Sequence, residues 1–233
     1  YVIAVNSGTA ALGICLRALG VKRYDEVITS PLSFVATSNA ICHVGAIPHF
    51  VDVSKENLGI DFIKLEKYLK KITYIKKGEL YNKKTGRRIS CMLPVHVFGF
   101  PVDIKKMKKI KKQFGLKVLE DSAECLGSFY NKIHLGNFGD MGVLSFNGNK
   151  IITTGGGGAI ITNNKRLYKI SKHIASTAKK NLNFEYDHDK VAWNYIMPGI
   201  NAALGLAQLN KLKYIISKKK ILHRHFCLFF KDY

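Results

Sequence analysis

Short runs of β-branched and apolar residues alternate along this chain with stretches whose apolar residues recur every three or four positions, and this alternation restricts the possible folds more than any other feature. Strand-like runs fall at residues 1–5, 26–29, 47–53, 90–95, 116–119, 142–146 and 159–162. Helical periodicity is read at 10–19, with Gly20 as its stop, and at 34–44, 61–72, 103–114 and 201–216. In 61–72 the apolar face is Phe62, Leu65, Tyr68 and Leu69, and in 201–216 it is Ala202, Leu206 and Leu209. The polar, glycine-containing stretch 74–88 is expected to be a surface excursion or a hairpin. Strands separated by helices predict an α/β fold, a mainly parallel sheet flanked by helices on both faces. Ligands in such sheets bind where strands end and helices begin, so the residues just after the strands are the ones that matter.

Composition narrows the class. With 233 residues, 47% of them hydrophobic and 23% charged, the chain can bury a core and is not expected to be disordered. No apolar run approaches the roughly 18–20 residues of a membrane span, so no membrane partner is expected. The balance of 37 Lys plus Arg against 16 Asp plus Glu, +21 overall, permits an anionic partner. The basic runs in 64–112 and 211–220 are almost all lysine and carry no interleaved aromatic platform, so they read as solvated surface and no nucleic acid is expected. Five cysteines (15, 42, 91, 125 and 227) include no C-x-x-C pair and most have apolar neighbours, as reduced core residues of a cytoplasmic protein would. His223 and His225 alone make no zinc site, so no metal is expected. The chain opens on Tyr1, inside a strand-like run and without Met, and we read it as a fragment that lacks its true beginning.

Three stretches after strands could carry chemistry. In Asn6-Ser7-Gly8-Thr9 a strand runs into a helix start, where unpaired N–H groups and the helix dipole favour an anion; a plain Thr N-cap is the other reading. In Glu120-Asp121-Ser122-Ala123-Glu124 a carboxylate ends a buried strand. There it needs a cation or hydrogen-bond donors, unless it only caps the next segment. Beyond Ser145, Lys150 is hemmed by Gly148 and the run from Gly155 to Gly158; a desolvated lysine in such a place can attack a carbonyl, although it could equally be a surface lysine beside a flexible turn. A phosphate site, a buried acid and a hemmed lysine together fit pyridoxal 5'-phosphate (PLP).

The blocks NSGTAAL (6–12), DEVITSPLSFVATSNAI (25–41), GAIPHFVDV (45–53), PVHVFGFPVDI (94–104), VLEDSAECLGS (118–128), LSFNGNKIITTGGGGAI (144–160) and WNYIMPGINAALGLAQL (193–209) follow in one order. With them the chain resembles the DegT/DnrJ/EryC1/StrS family of PLP-dependent sugar aminotransferases, and the SFNGNK-TTGGGG form together with Glu124 resembles its LegC-like branch. The resemblance implies the large domain of PLP-dependent transferase fold type I (aspartate aminotransferase-like). Residues 1–210 would form the cofactor-binding domain without its N-terminal segment, and 211–233 would begin the connection to a truncated C-terminal small domain.

Position by position, the resemblance implies a role for each site residue. Lys150 bonds to the cofactor and shuttles the substrate proton, and Asp121 pairs with the pyridine nitrogen. Phe34 stacks on the ring, while Gly8, Thr9 and Ser145 hold the phosphate. Glu124 lies beside the 3'-oxygen, where a glutamate needs a proton or a cationic neighbour. Asn194 lies on a segment that reaches the partner subunit's cofactor in a homodimer. Ile196 departs from the family's usual Arg or Asn and cannot bind phosphate. The implied substrates are L-glutamate and a UDP-linked 2-acetamido-2,6-dideoxy-4-keto hexose. A GDP-linked or 3-keto sugar is an alternative, as is a non-catalytic relative that keeps only the fold.

Overall fold

The computed structural model of the chain describes residues 1–180 and 186–231. In order the elements are β1 (Val2–Val5), α1 (Gly8–Ala18), β2 (Glu26–Thr29), α2 (Ala36–His43), β3 (Ile47–Phe50) and α3 (Phe62–Ile72). A hairpin of β4 (Thr73–Lys76) and β5 (Glu79–Asn82) leads to β6 (Ile89–Met92), α4 (Ile104–Phe114) and β7 (Lys117–Asp121). A second, short hairpin of β8 (Phe129–Tyr130) and β9 (Ile133–His134) precedes β10 (Met141–Ser145), β11 (Gly158–Ile161), α5 (Lys165–Ala175), α6 (Gly199–Asn210) and α7 (Leu212–Phe229).

Seven strands form one sheet in the order β1-β11-β10-β7-β6-β2-β3. From β10 to β3 every pair is parallel, and β11 alone runs antiparallel to both its neighbours. The central strands are buried on both sides, the polar ends of β2 and β10 (Glu26, Thr29 and Ser145) included. Side chains alternate between two cores. Leu119 and Val143 face a core built with α1, α2 and α5, whereas Val118 and Met92 face one built with α3 and α4. Helix starts follow side-chain chemistry: Ser7 accepts the Ala10 N–H, Asp61 those of Ile63 and Lys64, Asp103 that of Lys106, and Asn164 those of Arg166 and Leu167.

One close approach positions everything at the sheet's carboxyl end. Gly158 pairs with Val5 on one side and Ser145 on the other, and the start of α1 lies directly over it. A Cβ at Gly158 would stand 2.7 Å from the Gly8 nitrogen and 2.7 Å from the Ser7 carbonyl carbon, both backbone atoms that cannot swing away.

The structure departs from the sequence reading in four places. The helix expected over 201–216 is two helices, α6 and α7, joined at Lys211. Its expected apolar face is not covered: Ala202, Leu206 and Leu209 are exposed, and Gly205 is the one buried residue of α6. Ser7, not Thr9, caps α1. Cys15, Cys91 and Cys125 are buried, and burial pushes their thiols up, but Cys42 and Cys227 are exposed and do not belong to the core. Helix α5 and the β8–β9 hairpin are additions to the sequence reading.

The Gly158 contact makes a direct prediction. Gly158→Ala should cost about 1–3 kcal/mol in urea unfolding, because backbone must move to admit one methyl group. Gly156→Ala, whose Cβ would meet nothing nearer than 3.8 Å, should unfold like the unaltered chain.

Candidate functional site

The start of α1 and the residues following β2, β6, β7 and β10 surround one cleft of about 550 Å³. Gly8, Thr9, Phe34, Asp121, Glu124, Ser145 and Lys150, separated by up to 142 positions in sequence, all line it. It lies outside the carboxyl ends of the parallel strands, where the α/β topology places a ligand.

Asp121 ends β7 and is only 6% exposed. The Thr37 hydroxyl, from α2, donates to its Oδ2 at 2.7 Å, and the Ala123 N–H donates to Oδ1 at 3.2 Å. Burial pushes the Asp121 carboxyl above its ordinary value, and these two donors offset only part of that. The chain thus holds a carboxylate whose charge is under-compensated and aimed at a cleft. Such a group suits a protonated nitrogen on a ligand.

The neighbouring carboxylate points to the other face of the sheet. Glu120 is fully buried, and its Oε2 accepts the His96 Nε2–H at 2.8 Å and the Gly136 N–H at 3.1 Å. Its Oε1 accepts the N–H groups of Phe138 at 2.7 Å and Gly139 at 2.5 Å. The Val102 N–H donates to His96 Nδ1 at 3.2 Å, which leaves Nε2 as the ring nitrogen that donates to Glu120. Burial alone would raise the Glu120 carboxyl, yet the His96 and backbone donors hold it below the usual carboxylate value.

Lys150 lies in the loop between β10 and β11, its backbone N–H bonded to the Asn147 carbonyl at 3.0 Å. Its side chain is 14% exposed and Nζ lies 3.2 Å from Glu124 Oε1. The cationic neighbour that a glutamate at position 124 requires is therefore Lys150 itself. The other Glu124 oxygen accepts the Phe98 N–H at 2.9 Å.

Gly8 and Thr9 occupy the first turn of α1, where amide N–H groups have no helical carbonyl to bond. Ser145 ends β10 beside them: a Cβ on Gly8 would come within 3.1 Å of the Ser145 Cβ. Phe34 stands at the cleft, 77% exposed. Asn194 is not brought to this chain's cleft; it bridges to Ser176, and Ile196 bridges to Val5 at the sheet edge. Thr37, His96, Asn147 and Asn149 also line the cleft and were not among the residues expected. The alternation of β7 was the available signal for one of them: a strand ending Glu-Asp sends one carboxylate to each face, and the inner one needs its own donor.

The fold and the cleft define a class, the fold type I, aspartate aminotransferase-like transferases, whose large domain is a mainly parallel sheet flanked by helices. The model of the DegT/DnrJ/EryC1/StrS aminotransferase family matches residues 1–232, and the chain belongs to that family. It is 40% identical over 220 residues to GDP-perosamine synthase of Escherichia coli O157:H7, covering 94% of this chain and 56% of that protein. Among solved structures it is similar to Helicobacter pylori PseC, an aminotransferase involved in the biosynthesis of pseudoaminic acid. The TM-score is 0.87 at 30% identity, covering 100% of this chain and 59% of that one. It is also similar to NtdA from Bacillus subtilis with bound cofactor PMP, with a TM-score of 0.77 at 31% identity, covering 92% of this chain and 44% of that one. The chain spans about half the length of the curated relatives it matches, 56% of the GDP-perosamine synthase. The LegC-like branch expected from the motifs is not among these similarities.

Two predictions follow from the paired carboxylates. Ionising Asp121 costs more in the fold than in the unfolded chain, so this residue withdraws stability as the pH rises above the ordinary aspartate value of 3.8. Asp121→Asn should therefore raise the melting temperature of the chain measured without added ligand, with a larger gain at pH 7 than at pH 4. Glu120 has the opposite sign: its contribution is present above the ordinary glutamate value of 4.5 and is lost as the pH falls through its lower folded value. Glu120→Gln should cost about 1–3 kcal/mol at pH 7, since either orientation of the amide sets its NH2 against two N–H donors. Urea unfolding at a series of pH values should show that cost narrowing below pH 4.5.

Proposed function

We propose that this chain carries the catalytic core of a PLP-dependent aminotransferase that moves the amino group of L-glutamate onto a nucleotide-linked 4-keto-6-deoxy sugar. The observation that carries this reading is the convergence of a buried carboxylate, a lysine amine and an amide-lined helix start on one cleft. PLP presents a pyridine nitrogen, a carbonyl carbon and a phosphate, and these three groups match that set. When bound, it supplies an electron sink for the charge left on the substrate carbon as its proton departs.

The chain's own residues do the rest. Asp121 holds a proton on the pyridine nitrogen, and Thr37 orients Asp121 for that contact. Lys150 must lose its proton before its nitrogen can attack a carbonyl, and Glu124 Oε1, 3.2 Å away, is placed to accept that proton. With its amine free, Lys150 would be the base that takes the proton from the amino donor's carbon and the acid that delivers one to the sugar carbon. Gly8, Thr9 and Ser145 bind phosphate through the α1 amides and the Ser145 hydroxyl. Phe34 covers the ring face, and Glu124 keeps its family position beside the 3'-oxygen.

We propose a homodimer in which Asn194 serves the partner's cleft, a reading supported by its place away from this chain's own. Residues 1–210 form the large domain and 211–233 begin the connection to a small one, in keeping with the break at Lys211 and with α7, where no residue is buried. We place the reaction in the cytoplasm, as the nucleotide-sugar reading implies; among the described residues no helix is long and apolar enough to cross a membrane. The relative named GDP-perosamine synthase supports a GDP-linked sugar, whereas the SFNGNK-TTGGGG form and Glu124 support a UDP-linked 2-acetamido sugar.

Adding PLP to the purified chain should produce a visible absorbance band, and borohydride should trap an adduct that maps to Lys150. Lys150→Ala should abolish both, and a retained adduct would refute the assignment. Turnover with glutamate should then separate the GDP- and UDP-linked 4-keto-6-deoxy sugars, and a trapped adduct without turnover on either, in this chain and in the full-length protein alike, would identify a non-catalytic relative.

A further inference from the structure

Phe98 has no part in the chemistry proposed above, yet the chain maintains it at a conformational cost. Its φ and ψ are 53° and 22°, the left-handed region that a bulky side chain rarely occupies. Seven other non-glycine residues in the described chain have positive φ, and none of them lines the cleft. Such strain persists where the surroundings over-determine it and collects at functional positions.

The surroundings of Phe98 are over-determined from both sides. The buried His96 precedes it, held by Glu120 and Val102, and the Gly99 N–H returns to the His96 carbonyl at 3.0 Å. Gly99 also has positive φ, and a Cβ there would stand 2.8 Å from the Glu124 carbonyl oxygen, so the turn is pressed against the segment after β7. The Phe98 N–H is bonded to Glu124 Oε2 while Glu124 Oε1 holds Lys150. One carboxylate thus separates the backbone of Phe98 from the reacting amine. The result of all this restraint is an aromatic residue left 73% exposed at the cleft.

An exposed ring on a rigid turn beside the reacting nitrogen is suited to an apolar part of the substrate close to the carbon that reacts. On the reading given above, that carbon is C4 of a 6-deoxy sugar, and the apolar group two bonds away is the C6 methyl. We propose that Phe98 is a specificity-determining residue whose ring packs against that methyl group and disfavours sugars that carry a hydroxyl there. This inference rests on the nucleotide-sugar aminotransferase reading. A hydroxyl set against the ring loses water without gaining a hydrogen bond. An apolar contact of this kind discriminates by about 10- to 100-fold at most.

The test uses stable sugars that lack the reacting ketone. The PLP-loaded chain is titrated with GDP-D-rhamnose and GDP-D-mannose, and with the corresponding uridine pair, UDP-N-acetylquinovosamine and UDP-N-acetylglucosamine; within each pair only the C6 hydroxyl differs. The chain should prefer the 6-deoxy member of at least one pair by about tenfold or more. Phe98→Gly keeps the turn, since glycine adopts positive φ freely, and should reduce that preference below about threefold without lowering the melting temperature. Phe98→Tyr should retain it. Equal preference in the glycine variant, or no preference in the unaltered chain, overturns the proposal. Failure of every sugar to bind overturns it as well. The Lys150 adduct is measured on the same samples, so loss of the aminotransferase reading shows separately, as a missing adduct.

Discussion

Strand β7 ends in two consecutive carboxylates, and a strand must send them to opposite faces. Both are buried, so each needs donors within reach, and the rest of the site is arranged around meeting that requirement. On the inner face Glu120 is satisfied completely, by His96 and three backbone N–H groups, and this draws the turn at 136–139 and the segment at 96–102 onto the sheet. On the other face Asp121 is satisfied only in part. The difference is one of hydrogen-bonding capacity: a carboxylate with every lone pair engaged has nothing to offer a ligand, whereas one held by a hydroxyl and one amide still does.

A second constraint sets how close the start of α1 comes to these acids. Gly158 has no side chain, so the start of α1 rests directly on β11 and stands beside Ser145. That contact brings a helix start, a strand-end serine and the lysine loop into one cleft. The positive field of the helix start and the negative field of Asp121 then lie at separate places in it. A ligand with a phosphate and a protonated ring nitrogen is matched at both places, which is the physical content of the family resemblance.

The strands and the first four helices were legible because each has the right period and the right punctuation. Asp61, Asp103 and Gly115 bound α3 and α4 as capping chemistry requires, and the alternating β–α order left few topologies open. The misreadings have physical causes too. Residues 201–216 carry an apolar face, and periodicity says nothing about whether a partner covers it; Leu206 and Leu209 are exposed in this chain. Ser7 and Thr9 are both good caps, and only the backbone geometry shows that Ser7 takes the role. Cys42 has apolar neighbours in sequence and still faces solvent, because α2 shows its inner face through Thr37, Ala40 and Ile41.

Glu124 and Phe98 mark the limit of reading residues by position. A glutamate at 124 poses a charge problem in the sequence, and the fold resolves it with Lys150, 26 positions away, while its other oxygen holds the Phe98 amide. No local pattern announces that Phe98 adopts positive φ, since the residue is an ordinary strand or helix former and the strain is imposed by its neighbours. The sequence by itself determined the α/β class and the strand ends, and it singled out the acid, the lysine and the helix start that the fold gathers in one cleft, because periodicity and capping are local or statistical properties of the chain. Only the tertiary structure decided which donors each carboxylate receives, which residue neutralises Glu124 and where an aromatic ring is left exposed, because those contacts join segments that the sheet, not the sequence order, makes neighbours.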